Sequence, residues 1–335
     1  MSELNWSREQ ERGSVWLLRL MFLITFGAGW QAGRALLLPI TAWFLATSPC
    51  GRAASREYLG CALGRRARAW DVARHFYTFA CAILDRLFLV TGRTRRFRIA
   101  ISGLEHVQAV LASGQGCMLL GAHLGSFEVL RSLAAAAPVP VRPLMFRRNA
   151  GALTWALDRL DPSLRETVIE IGDTASLLRA REAVERGEIV ALLADRAPDG
   201  QRPVAAPFLG RPAPFPAGPF ILAATLGAPV VLFHGVRTGP RRYHVEFEPF
   251  ADRVVLRRAS RQADLQAWIT RYAAALEQAC LAHPYNWFNF FPFWERSSDA
   301  GNAEASGPTR AAVAGIAAGA VHGGGARPGP SPAPS

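Results

Sequence analysis

Between Gly116 and Leu133 a short apolar run bounded by glycines passes into a helical pattern, leaving only a tight turn between them. The run Cys117-Met118-Leu119-Leu120 has no polar position, so it reads as a strand buried on both faces. Phe127 to Leu133 reads as the first turns of a helix, with Ser126 as its N-cap and Gly125 allowing the sharp turn before it. The same alternation recurs downstream. Strand-like segments are expected at 97–102, 139–146, 167–171 and 189–194, and helices at 104–111, 151–160 and 174–186. A Pro-rich stretch over 206–219 reads as a rigid connector into a helix near 219–226. Segments 229–236 and 243–250 read as paired strands around Thr238-Gly239-Pro240, and 264–282 as a long closing helix. Such a pattern implies an α/β fold: a mostly parallel mixed sheet flanked by helices, with an antiparallel pair near its end.

In sheets of this kind ligands bind beyond the carboxyl ends of the strands. His123 and Asp195 both fall at such ends. Glu128 lies in the first helical turn, five residues after His123, and is expected to reach back to it. A carboxylate that fixes an imidazole's tautomer makes it a general base near neutral pH, able to deprotonate a hydroxyl without metal or cofactor. Spacing alone also allows a plainer reading, in which the histidine is structural and the glutamate is favoured by the helix dipole.

Half of the 335 residues are hydrophobic, and the formal net charge is +12 with no lysine at all. That field favours anionic membrane surfaces, phosphorylated lipids and acidic carrier proteins. A nucleic-acid partner is not expected, because no recognition-helix, zinc or aromatic-sheet signature accompanies the charge. Cys50, Cys61, Cys81, Cys117 and Cys280 are scattered without a C-x-x-C pair, so they are expected to fill core space rather than bind zinc or form disulfides.

After a polar start over 1–13, residues 14–46 are strongly apolar but interrupted by Arg19, Gln31 and Arg34. A spanning helix needs about 20 apolar residues, which this stretch supplies only if Arg34 snorkels or pairs. Two apolar halves hinged near Gly29 to Arg34 and lying in one leaflet fit as well, and a buried helix pair is the alternative. Membrane attachment is the expectation, with Trp16, Trp30 and Trp43 as interfacial anchors. The arginines at 52, 56, 65, 66 and 68 then place the remainder on the cytoplasmic side. Residues 47–96 read as a helical linker packing on a catalytic domain at 97–296, with His75 structural, and residues 297–335 as a disordered tail.

Further features accompany the histidine: Arg147-Arg148-Asn149 after one strand, Asp195-Arg196 after another, the Phe208-Leu209-Gly210-Arg211-Pro212 loop, and the aromatic ending Tyr285 to Trp294. Together these resemble the bacterial lipid A late acyltransferases, the lauroyl and myristoyl transferases of the lysophospholipid acyltransferase superfamily, over roughly residues 15 to 296. The Trp287-Phe288-Asn289-Phe290 ending is more similar to the acyltransferases of aryl polyene clusters. The resemblance implies transfer of a fatty or polyene acyl group from acyl carrier protein or coenzyme A to a hydroxyl of a lipid or glycolipid, at the inner membrane. It implies His123 as catalytic base and Glu128 as its acidic partner. Arg147 or Arg148 would hold the acceptor or the thioester oxygen, and Asp195 would be an acidic position on the next active-site strand. Arg196 and Ser126 complete the substrate-binding candidates.

No cofactor beyond the thioester co-substrate is implied, and no acyl-enzyme is needed, because Ser126 lacks a Gly-x-Ser-x-Gly elbow. On residues alone, Asp195-Arg196 also fits a surface ion pair and Arg147-Arg148 a solvated loop. A lysophospholipid acyltransferase and a non-catalytic lipid-binding protein are the competing functional classes. Basic residues Arg237, Arg241, Arg242, Arg253, Arg257 and Arg258 form either a solvated face or a dock for an acidic carrier protein.

Overall fold

The computed structural model describes residues 25, 27, 29–134, 139–145, 167–171, 174–197 and 201–294. Three helices come first: α1 (Trp30–Thr47), α2 (Pro49–Ala62) and α3 (Ala69–Val90). After a 3-10 turn at Thr94–Arg96 follow β1 (Arg98–Ser102), α4 (Leu104–Ala112), β2 (Cys117–Gly121), α5 (Phe127–Ala134), β3 (Val141–Met145) and β4 (Ile169–Glu170). The chain continues through α6 (Thr174–Glu185), β5 (Ile189–Leu193), β6 (Val204–Phe208), β7 (Arg211–Phe215), α7 (Gly218–Leu226), β8 (Val230–Gly239), β9 (Arg242–Ala251) and α8 (Arg261–Ala282).

Seven strands make one sheet in the order β1-β9-β8-β2-β5-β3-β4. Only the β8–β9 pairing is antiparallel; the other five are parallel. The expected α/β class is therefore correct. The all-apolar strand β2 is central, and alternate residues serve opposite faces. Met118 and Leu120 join one buried cluster with Tyr58 and Val72, while Cys117 and Leu119 join another with Leu84 and Phe88. Burial on both faces is what the absence of polar positions in β2 demanded.

The helices before the sheet belong to these cores. His75 is fully buried, with Nδ1 2.8 Å from Ser55 Oγ and Nε2 2.9 Å from the Trp287 carbonyl oxygen, which ties α2, α3 and the C-terminal segment together. Burial depresses its imidazole to about 4, against a smaller opposing effect of the Trp287 carbonyl, so the structural reading of His75 holds. Asp85 on α3 accepts from Trp30 Nε1 at 2.7 Å, Tyr243 Oη at 2.9 Å and Arg237 Nε at 3.3 Å.

That knot corrects the expectation for Trp30. It is buried against Asp85 rather than free to sit at a membrane interface, because a buried carboxylate needs donors and the indole supplies one. Trp43 does remain 48% exposed, and Trp16 lies outside the described residues. Among the described residues no helix is long and apolar enough to cross a membrane.

A second correction concerns the Pro-rich stretch. Instead of an irregular connector, β6 and β7 form a two-stranded antiparallel hairpin. Each strand of an isolated pair has a free edge, so prolines such as Pro207, Pro212 and Pro214 cost few ladder bonds there. Leu209 and Gly210 both have positive φ, the backbone of a two-residue primed hairpin turn, and Glu277 accepts from the Leu209 amide. The helix expected at 151–160 and the tail at 297–335 lie outside the described residues.

Candidate active site

Parallel pairing in register brings His123 and Asp195 together. Gly121 at the end of β2 stands opposite Leu193 at the end of β5. Two residues further along each chain come His123 and Asp195, and His123 Nδ1 is 2.8 Å from Asp195 Oδ1. The other carboxylate oxygen accepts from Trp287 Nε1 at 3.0 Å. Arg196 Nε stands 3.9 Å from Asp195 Oδ2, and an Nη of Arg196 donates to the Phe288 carbonyl at 2.5 Å.

The turn that carries His123 is clamped from both sides. The Gly125 amide donates to the Asn286 carbonyl, the Ser126 amide to the Gly235 carbonyl, and the Phe288 amide to the His123 carbonyl. Gly125 has φ +76°, and a Cβ there would lie 2.0 Å from the Gly235 carbonyl oxygen. Gly125→Ala therefore combines a left-handed backbone with a backbone clash, at an expected cost of about 3 kcal/mol or more. It should lower the thermal midpoint and the activity together, although neither His123 nor Asp195 is altered; an unchanged midpoint would contradict the packing.

Asp195 is fully buried while the His123 side chain is 37% exposed. Burial alone would raise the Asp195 carboxyl, but the charge and hydrogen bond of His123, the charge of Arg196 and the Trp287 N–H outweigh it and hold it well below the usual carboxylate range. Burial depresses the His123 imidazole, the Arg196 charge pushes the same way, and Asp195 opposes both. At neutral pH the pair is thus a carboxylate and a neutral imidazole. Nδ1 carries the proton toward Asp195, and Nε2 keeps its lone pair.

Glu128 does not supply the partner expected of it. Its Oε1 lies 2.6 Å from Arg86 Nε, and Oε2 accepts from Ser126 Oγ at 3.3 Å. The carboxylate on His123 is that of Asp195, which lies in register with it, whereas Glu128 has turned with the first helical turn toward α3. A surface ion pair is likewise the wrong description of Asp195-Arg196, since the carboxylate has no solvent contact. Ser126 supports Glu128, and its amide pins the turn. Arg147 and Arg148 lie outside the described residues.

A cavity of about 450 Å³ is lined by His123, Ser126, Glu128, Arg86 and Arg196, with a largely apolar remainder including Ile83, Val90, Phe127, Leu144, Leu192 and Phe290. Volumes of this order suit small-molecule or single-chain ligands. Sequence reading did not single out Arg86 or Trp287 as site residues. Arg86 was detectable in principle, since Phe79, Ile83, Arg86 and Val90 recur at helical spacing and line the cavity from one face of α3. Among the described residues no cluster of three His, Cys, Asp or Glu could hold a metal ion.

The bacterial lipid A biosynthesis acyltransferase family matches residues 14–296, most of the chain. The chain belongs to that family. It is an acyltransferase acting on lipid, as the sequence resemblance implied. Comparison with curated proteins gave no match. Family membership sets the reaction class of the chain, acyl transfer.

Proposed function

We propose that the protein moves a fatty acyl group from an acyl carrier protein or coenzyme A thioester to a hydroxyl of a lipid or glycolipid, while attached to the inner membrane with its cavity on the cytoplasmic side. His123 is the general base and Asp195, rather than Glu128, its partner. The observation that carries this reading is the 2.8 Å contact between Asp195 and His123, which lines a largely apolar cavity. Membrane attachment rests on the apolar segment 14–46 and the arginines that follow it.

The acceptor hydroxyl gives its proton to His123 Nε2 as its oxygen attacks the thioester carbonyl. Asp195 steadies the imidazolium that forms. The carbonyl oxygen becomes an oxyanion facing Arg196, whose guanidinium is fixed by the Phe288 carbonyl and lies 5.2 Å from the Phe291 ring centroid. Collapse breaks the carbon–sulfur bond and expels the thiolate, which takes the proton back from Nε2. The base is restored without a covalent enzyme intermediate.

Lipid extracts from cells expressing the protein or its His123→Ala variant, compared by mass, test the reading. One ester should appear with the active protein and be missing with the variant; identical extracts would overturn it.

The electrostatics give a sharper prediction. Because the imidazole is depressed below its ordinary value, activity should be constant above about pH 6.5 and fall on an acid limb below it, as His123 takes up a proton. Arg196 contributes to that depression, so Arg196→Met should move the limb to higher pH besides lowering kcat. Glu128→Gln should leave the limb in place and reduce kcat less than Asp195→Asn, because it acts through Arg86. A limb that moves with Glu128 and ignores Asp195 would reverse the assignment.

A further inference from the structure

Five arginines crowd the sheet end that bears the cavity. β8 runs parallel to β2 and antiparallel to β9, and β9 runs parallel to β1, so β1 and β9 begin at the same end of the sheet, where β8 extends beyond the end of β2. Arg95 and Arg96 close the 3-10 turn before β1, Arg98 opens β1, and Arg241 and Arg242 lead into β9. Arg98 and Arg242 are direct partners in the ladder. Like charges placed opposite one another across strands destabilise a sheet unless something neutralises them. Among the described residues none of the five makes an ion pair, and Arg95, Arg96, Arg98 and Arg242 are exposed. So concentrated a charge calls for a polyanion.

The place where α1 begins says which. Arg241 lies 4.2 Å from the ring centroid of Trp30, the first residue of α1. In sequence the apolar residues from Val15 to Phe26 come just before Trp30, the residue that Arg241 covers. An acidic carrier protein would match the charge, but it would not account for an apolar stretch immediately preceding Trp30 in the sequence.

We propose that this arginine edge docks on the phosphates of an anionic lipid surface and holds the cavity-bearing end of the sheet toward the bilayer. The proposal rests on the membrane attachment proposed above and adds the chemistry of the surface and the orientation. An acceptor lipid then reaches His123 from the plane of the membrane.

The test is co-sedimentation of the full chain with phosphatidylcholine vesicles with and without phosphatidylglycerol. Each arginine near an anionic leaflet strengthens partitioning roughly fivefold, so changing Arg95, Arg96, Arg98 and Arg242 together to Gln should weaken binding to the anionic vesicles by roughly 600-fold. Binding to neutral vesicles and acyl transfer in detergent should be unchanged. The wild-type preference for anionic vesicles should fade as salt rises from about 0.05 to about 0.5 M, and the corresponding four-Lys variant should restore it.

Wild-type binding that ignores lipid charge, or a Gln variant that binds anionic vesicles as well as wild type, overturns the arginine surface alone. No binding to either vesicle overturns the membrane reading as well. A raised KM for an acyl carrier protein donor with vesicle binding intact would assign the edge to that protein and overturn the lipid proposal.

Discussion

Replacing His123 by Ala is expected to reduce acyl transfer by about 10²–10⁴-fold, the usual contribution of a positioned general base. The loss should fall on kcat, because the apolar wall proposed to hold the acyl chain is untouched. Stability should also fall, by about 1–3 kcal/mol, since the buried Asp195 carboxylate loses its bond to Nδ1 and keeps only the Trp287 donor. A companion variant separates the two effects. His123→Asn places an amide N–H near the position of Nδ1, so it should recover most of the stability and none of the activity. Transfer by His123→Ala at the wild-type rate, measured on purified protein, would remove the imidazole from the chemistry.

The second large effect is expected at Asp195. Asp195→Asn keeps the volume but offers Nδ1 a donor, so the imidazole carries its proton on Nε2 and has no lone pair for the acceptor hydroxyl. The expected loss in kcat is about 10³–10⁴-fold, the scale for reversing a catalytic histidine's tautomer in an unrelated triad. The residual acid limb should shift to lower pH, because Asp195 is the group that raises the His123 pKa. Trp287→Phe removes one hydrogen bond to the same carboxylate and should cost far less, about tenfold. Near-normal rates in Asp195→Asn alongside an inactive Glu128→Gln would show that Glu128 is the partner after all.

Much of the architecture was legible in the residues. Cys117 to Leu120 and Ile189 to Leu193 carry no polar side chain, and a strand so composed is stable only with both faces covered. The glycine at 125 announced a tight turn, and the two strand-end residues His123 and Asp195 stood where open parallel sheets bind their ligands. The Pro-rich stretch misled because a lone hairpin tolerates prolines that an inner strand would reject. Trp30 misled for a related reason. Its apolar neighbours suggest a membrane interface, yet its indole N–H answers a buried carboxylate 55 residues away, which local pattern cannot show.

Local sequence therefore determined the strand-turn-helix that presents His123, the apolar strands around it, and the basic excess of the chain, because these depend on side-chain type and short-range periodicity. Only the tertiary structure decided which carboxylate serves the imidazole. Glu128 is nearer in sequence but rotates with its helix onto Arg86, while Asp195, 72 residues on, is delivered by the register of β2 against β5. Register is set by packing over the whole sheet and not by spacing along the chain.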